Sequence, residues 1–140
     1  MRRALVLAPL VLVCLAACGG SSHATTTATT AAQAKQLHVV VVGQDHHPLV
    51  NKRWHYEVRV TANGEPVAAF HVHLQFLFSG TPVGEVGVHN VKGGVWRETF
   101  GTPGSPPFPP ASRGQALVLQ AIVTVKGYPA AKARWAVTPR

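Results

Sequence analysis

The residues of this chain that could do chemistry are mainly histidines, and the most suggestive pair is His71 and His73 in the segment NGEPVAAFHVHLQF. Side chains alternate between the two faces of a β-strand, so a His-x-His pair presents both imidazoles on one face. Imidazole is a common ligand of copper, zinc and nickel. Since a metal site needs at least three converging ligands, the best candidate set is His71, His73 and His89. The alternative is that these histidines are simply outward-facing polar residues.

Catalytic groups other than histidine are scarce. The sequence has five acidic residues, and no two of them suggest the paired carboxylates of glycosidases. It has no serine in a nucleophile elbow and no glycine-rich phosphate loop before a helix. We therefore expect a protein that is not an enzyme and that carries no cofactor.

The two cysteines lie near the N-terminus, at positions 14 and 18. Met1-Arg2-Arg3 precedes an apolar run, ALVLAPLVLVCLAA, which ends in Leu15-Ala16-Ala17-Cys18. The run is shorter than the roughly 20 residues of an ordinary membrane span, and it fits the apolar region of an export signal. This arrangement closely resembles the lipobox of bacterial lipoprotein signal peptides.

The resemblance implies that residues 1–17 are a signal peptide and that Cys18 is lipidated and becomes the mature N-terminus. The protein would then be held in the cell membrane by this lipid and would face the extracytoplasmic side. The alternative is an ordinary secretory signal cut near Ala17. Under either interpretation the domain is exported.

Residues 18–36 are expected to form the lipidated cysteine and a Thr- and Ala-rich flexible linker, because they contain nothing large to bury. Residues 37–140 then have the length of one domain. No cysteine remains in this domain for a disulfide or a thiolate ligand. An exported domain without disulfides must be stabilised by its apolar core.

From Leu37 onward, apolar and polar residues alternate between Gly, Pro and Asn breaks, which indicates strands and not helices. The predicted strands are 37–42, 53–61, 68–78, 85–89, 95–100, 116–126 and 132–138. This pattern predicts an all-β fold, an immunoglobulin-like antiparallel β-sandwich of about seven strands. A small β-barrel is the alternative. The three tryptophans each fall within a strand and are expected in the core.

Glycine-rich turns carry a second resemblance. NGEPVAAFHVHL is similar to a recurring feature of bacterial immunoglobulin-like domains, in which a strand ends in a Gly-x-Pro-Val turn and resumes on the opposite sheet. Gly93-Gly94 before Val95 and Gly114 before Ala116 fit the same family's habit of glycine before a strand. The resemblance covers most of residues 37–140 and implies the same sandwich fold.

The connection at Asn63-Gly64 decides how the histidines are placed. Asn-Gly between alternating strands favours a tight type I′ hairpin, but that register would put the apolar face of the next strand away from the core. Pro66 also lacks an N–H for the ladder. We therefore favour an arch that carries the chain to the other sheet; a hairpin with a bulge or an odd-length loop is the alternative.

The arch has two consequences. It leaves His55 on the outside of one sheet and the pair His71 and His73 on the outside of the other, too far apart to share a metal. It also points the side chains between and beside His71 and His73 toward the core. The side chains predicted to be buried are Phe70, Val72, Leu74 and Phe76.

The chain is basic, with a formal net charge of +8. Without Arg2 and Arg3 of the signal peptide the net charge is +6. Such a protein is attracted to anionic lipid headgroups or wall polymers, and basic residues fall on or near the last strand at Lys132, Arg134 and Arg140. A solvated face is the alternative, and nucleic acid is not an expected partner outside the cell.

The loop GTPGSPPFPP, residues 101–110, presents Phe108 between prolines. Loops at the ends of sandwiches commonly carry recognition, so Phe108 is a candidate anchor of a binding loop. The alternative, which we favour, is that Phe108 caps the end of the core.

The sequence as a whole predicts a lipid-anchored, extracytoplasmic, non-enzymatic immunoglobulin-like domain that acts as an interaction or structural module of the cell envelope. Its membrane contact would be the lipid on Cys18, and the candidate partners are an envelope protein or an anionic wall polymer. The alternative function is an envelope copper- or zinc-binding protein that uses its surface histidines.

Overall fold

The alternating sequence builds eight antiparallel strands in the computed structural model, which describes residues 35–140. The predicted signal peptide, Cys18 and nearly all of the predicted linker lie outside the described residues. The strands are β1 Leu37–Gly43, β2 Trp54–Ala62, β3 Glu65–Pro66, β4 Ala69–Phe78, β5 Thr81–Lys92, β6 Val95–Phe100, β7 Leu117–Thr124 and β8 Ala131–Val137. A short 3-10 helix spans Pro110–Ser112, and no helix within residues 35–140 is long and apolar enough to cross a membrane.

The strands form two four-stranded sheets. In sheet A, β2 lies between β1 and β6 and also pairs with the short β3, while sheet B has the order β5-β4-β7-β8. All pairs are antiparallel. Strands 1, 2 and 6 thus face strands 5, 4, 7 and 8, which is the arrangement of immunoglobulin-like sandwiches. The predicted fold class is confirmed.

The fifth strand is the one that the sequence predicts least well. It was expected over residues 85–89, but it runs over Thr81–Lys92. Ser79 and Gly80 both have positive φ and form a tight turn, so pairing with β4 begins at once with Phe78 opposite Thr81. Prolines and glycines that read as a loop therefore lie within an irregular edge strand, whose register with β4 shifts twice.

The core lies between the sheets and is built by the inward positions of the central strands. Trp54, Val58 and Val60 of β2 are buried, and Tyr56 between them is 3% exposed. On β4, Phe70, Val72 and Leu74 are buried as predicted, while Phe76 is half-buried. Of the tryptophans, Trp54 is fully inside, and Trp96 and Trp135 are half-buried against the core.

The turn at Asn63-Gly64 combines both topologies considered from the sequence. Both residues have positive φ, and Ala62 pairs with Glu65 in a tight hairpin. Pro66 is tolerated because it pairs with Thr61 at a position where no ladder hydrogen bond forms. The hairpin ends after two residues, and the chain then crosses to sheet B, so β2 and β4 lie in different sheets as the arch predicts.

Two of the three crossings between the sheets, from β3 to β4 and from β5 to β6, meet at Val60. The Val67 N–H donates to the Val60 carbonyl over 3.2 Å, and the Val60 N–H donates to the Gly94 carbonyl over 2.8 Å. The Gly93 N–H donates to the Ala68 carbonyl over 2.7 Å. The chain segments that leave and re-enter sheet A are therefore joined through the backbone of one β2 residue.

The sandwich has two distinct ends. The entry end is where β1 begins, and it also holds the turns at 63–64, 93–94 and 125–130. The loop end holds residues 44–53, the turn at 79–80, residues 101–116 and the segment 138–140. Backbone hydrogen bonds bind these loops together, including Asn51 N–H to the Phe108 carbonyl and Gly114 N–H to the Pro139 carbonyl.

We expect Gly94→Ala to destabilise the fold. A Cβ at Gly94 would lie 2.7 Å from the Pro66 Cβ and 2.9 Å from the Val60 carbonyl oxygen, so one crossing must move away from β2. The substitution should lower the free energy of unfolding, measured with urea, by about 1–3 kcal/mol. The matched control is Gly84→Ala, whose Cβ would lie 3.9 Å from the Phe76 Cβ; equal losses in the two variants would contradict this account.

Candidate functional site

The three candidate metal ligands are not brought together. In the β4–β5 pairing, His71 lies opposite Asn90 and His73 lies opposite Val88, whereas His89 lies opposite the buried Val72. Residues that lie opposite each other share a face. His89 therefore points between the sheets, while His71 and His73 point outward, and the predicted set of three is wrong.

His73 and His55 instead each have a local polar partner. His73 Nε2 lies 2.6 Å from Glu85 Oε2 on the outer face of sheet B. His55, on the outer face of sheet A, places Nδ1 2.7 Å from the Thr99 hydroxyl. Within residues 35–140 no three His, Cys, Asp or Glu side chains are grouped closely enough to hold a metal ion.

A polar cluster lies between the sheets at the open side formed by β5 and β6. The Tyr56 hydroxyl donates a hydrogen bond to Glu98 Oε2. His89 reaches the same carboxylate from the other sheet, with Nε2 3.7 Å from Glu98 Oε2. The His89 ring stacks on Trp96 at a centroid distance of 4.1 Å.

The cluster contains two buried polar atoms without a partner among the described residues, His89 Nε2 and Trp96 Nε1. The Nε2 to Glu98 separation exceeds hydrogen-bond length, so the imidazole and the carboxylate face each other without bonding. Among residues 35–140, Tyr56 is the one direct donor to Glu98. A half-buried carboxylate with one neutral donor is less favourable than one in water, and the fold retains it at the edge of the core.

Tyr56 is the titratable group that this environment changes most. Burial raises the pKa of its hydroxyl well above the ordinary value of 10.0, and the hydrogen bond to Glu98 and the charge of that carboxylate raise it further. The hydroxyl therefore stays protonated in the folded protein and remains available as a donor to Glu98.

An apolar cleft of about 410 Å³ opens at the loop end. Phe76, Phe100 and Phe108 line it together with Val83 and Val86 of β5. Residues of the proline-rich loop between Gly104 and Ser112 also line the cleft, among them Ser105 and Ala111. Its volume falls within the roughly 300–1,000 Å³ of ordinary small-ligand pockets.

Phe108 is 5% exposed and caps the core. Its ring packs edge-on against Trp54 and Phe76, at centroid distances of 5.6 and 5.3 Å, and lies 5.7 Å from Phe100. The capping alternative is therefore correct, and the projecting anchor is not present. Phe108 still contributes one surface of the cleft.

The loop end also carries most of the exposed large apolar side chains. Leu49 is 52% exposed, Phe78 44% and Val83 57%. Val42, at 39%, lies at the same end of β1, whereas Val88 on the outer face of sheet B is 69% exposed. Apolar side chains grouped around a cleft are typical of binding surfaces.

Basic residues that are close in sequence near the last strand separate in the structure. Lys132 lies near the entry end of β8, and Arg134 donates from Nε to the Gln120 side chain over 2.9 Å. Arg140 lies at the loop end, where its backbone pairs with Pro48 and Val50. Lys132 and Arg134 share a face of β8, but Arg140 lies apart from them, so the three predicted residues do not form one cluster.

A scan against protein-family models, a search of the curated proteins and a search of the solved structures find no match to this chain. The sandwich order of the strands defines the class of fold, and function is inferred from the chain's own residues.

Sequence reasoning missed the cluster of Tyr56, Glu98 and His89. A signal was present in VWRETF, where strand alternation puts Glu98 on the same face as Trp96 and Phe100. A carboxylate between two aromatic residues on an inward face indicates a buried acid that needs a donor. The identity of that donor depends on the β2–β6 pairing, which aligns Tyr56 with Glu98.

We expect Tyr56→Phe to abolish an alkaline loss of stability. Because the pKa of Tyr56 is raised on folding, its contribution is complete below about pH 10, where the unfolded chain also keeps the proton, and it declines by about 1.4 kcal/mol per pH unit above that. Urea unfolding at about pH 8 and about pH 11 measures this difference. Tyr128→Phe is the control and should lose as much stability between the two pH values as the unchanged protein does. If the Tyr56→Phe variant also loses that much, the assignment to Tyr56 is overturned.

Proposed function

We propose that this protein is a lipid-anchored, extracytoplasmic, non-enzymatic immunoglobulin-like module that binds a partner of the cell envelope through its loop end. The observation that carries the binding part is the apolar cleft at that end, where most of the exposed large apolar side chains also lie. The anchor part is supported by the lipobox resemblance around Cys18.

The geometry of the two ends favours this role. β1 begins at the entry end, so the chain that leads back to Cys18 leaves the sandwich there. The cleft lies at the opposite end, about 30 Å away along the nine-residue β2 strand. A module attached at one end and open at the other can bind while it is tethered.

The chemistry of the cleft favours an apolar group on the partner. Three phenylalanine rings and two valines line it, and burying apolar area against them contributes about 25 cal/mol per Å². Polar groups at its rim, among them Ser105 and Gln115, can orient an incoming ligand by hydrogen bonds.

Cys18→Ala should abolish retention in the membrane, because the variant lacks the thiol that receives the lipid. The measurement is the distribution of the protein between membrane and soluble fractions after a carbonate wash. Cys14→Ala is the matched control and should remain in the membrane, since position 14 lies within the predicted signal peptide. Retention of the Cys18→Ala variant would contradict the anchor.

A photo-crosslinking amino acid at Val83 should form an adduct with the partner in growing cells, whereas the same group at Val88 should not. Both side chains are exposed, but only Val83 lines the cleft. Ala111→Trp, which adds an indole to the lining, should remove the Val83 adduct, and Ala130→Trp in the exposed turn before β8 should leave it. Identical adducts from Val83 and Val88, or none from Val83, would rule out the cleft as the binding site.

A further inference from the structure

We propose that the lysines of the entry end dock on the anionic headgroups of the membrane in which Cys18 is anchored, and so hold the loop end outward. The proposal rests on the proposed anchor and adds an orientation to it. The docking surface consists of four exposed side chains: Lys35, Lys92, Lys126 and Lys132.

These four side chains come from different parts of the chain, and the fold places them at the same end of the sandwich. Lys35 precedes β1 and places its Nζ 5.8 Å from the centre of the Tyr128 ring. Lys92 ends β5, Lys126 lies in the turn after β7, and Lys132 is the second residue of β8. All of these positions belong to the entry end.

The positive charge at this end is nearly uncompensated. Glu65 is the one acidic residue that the described chain places there. Among residues 35–140, none of the four lysines takes part in an ion pair. The other carboxylates are held elsewhere: that of Glu57 by Arg59 and Arg97, that of Glu85 by His73.

The charged residues around Glu57 on sheet A differ from the entry-end lysines, because they are paired with one another. The hydrogen bonds from Arg59 and Arg97 lower the pKa of the Glu57 carboxyl, and this carboxylate offsets part of the positive charge of the two arginines on sheet A. The entry-end lysines have no such partners, and their field extends outward over about one screening length, roughly 8–10 Å.

An anionic lipid surface is the partner that best fits these lysines. The described chain enters β1 from this end, so a linker from a lipidated Cys18 would join the sandwich beside these lysines. None of the exposed large apolar side chains belongs to the entry end among the described residues, so the contact is electrostatic and not an insertion. Each lysine near such a surface strengthens association by roughly fivefold.

The loop end is basic as well, but its chemistry differs. Its cations are one lysine and three arginines, Lys52, Arg53, Arg113 and Arg140. They accompany the apolar side chains and the cleft, and the linker would have to double back along about 30 Å of sandwich to bring them to the membrane. These residues therefore provide a charge-matched control for the lysines.

The test uses the full chain, purified with its lipid and placed in vesicles of phosphatidylcholine alone or mixed with phosphatidylglycerol. Single cysteines for a fluorescent label are introduced by Ala130→Cys at the entry end or Ala111→Cys at the loop end, both at exposed positions. Energy transfer to an acceptor on the lipid headgroups should be stronger from position 130 than from 111 when phosphatidylglycerol is present. High salt should remove the difference.

Replacing the four entry-end lysines by Gln should also abolish the difference between the labels, whereas replacing the four loop-end cations by Gln should preserve it. Stronger transfer from position 111, equal loss in the two variants, or a difference that persists in phosphatidylcholine alone would overturn the proposal. So would lysine-dependent binding of inorganic polyphosphate without any orientation on vesicles, which would indicate a wall polymer.

Failure of the anchor gives a different result. If mass spectrometry finds no acyl group on the purified chain, the lipidation of Cys18 is refuted. The same chain is then tested by flotation with phosphatidylglycerol vesicles. Flotation that is salt-sensitive and reduced roughly a hundredfold or more by removing the four lysines would still support the docking surface. Flotation unaffected by their removal would exclude it.

Discussion

The fold depends on the backbone of Val60, which holds two of the three crossings between the sheets, those from β3 to β4 and from β5 to β6. Its carbonyl accepts from Val67 and its N–H donates to Gly94, so the segments that leave and enter sheet A are fixed one beside the other. This places β4 and β5 in sheet B with their apolar faces toward β2. The burial of Phe70, Val72 and Leu74, the outward position of His71 and the inward position of His89 all follow from where these crossings occur.

The sequence predicted the strands well because most of them alternate cleanly between apolar and polar residues. Six of the seven predicted strands lie within two residues of their observed bounds, as for residues 95–100, which form β6. The exception is β5, where Gly84 and Gly87 interrupt alternation within an edge strand that is still paired with β4. The alternation of apolar residues, together with Pro66, also predicted the change of sheet after Asn63, although the tight turn and the crossing both occur.

The candidate site could be predicted less well, because its residues meet through pairings that are distant in sequence. Tyr56 and Glu98 are 42 positions apart and meet through the β2–β6 register. His89 could not be assigned to a face from the sequence, because the register shifts in the β4–β5 pairing interrupt the regular alternation of side chains between the two faces of β5. Phe108 shows the opposite case, since an aromatic residue among prolines was expected to cap the core and does so.

The inward position of Glu98 has a consequence for the edge of sheet A. β6 pairs with β2 on one side, so the described chain leaves its other edge open to an added strand. An inward-pointing charge on an edge strand is one of the devices by which natural sheets resist edge-to-edge association, because a flat continuation of the sheet would bury that charge further. Glu98 and the irregular β5 beside it thus protect the sandwich from edge-to-edge association with its own copies.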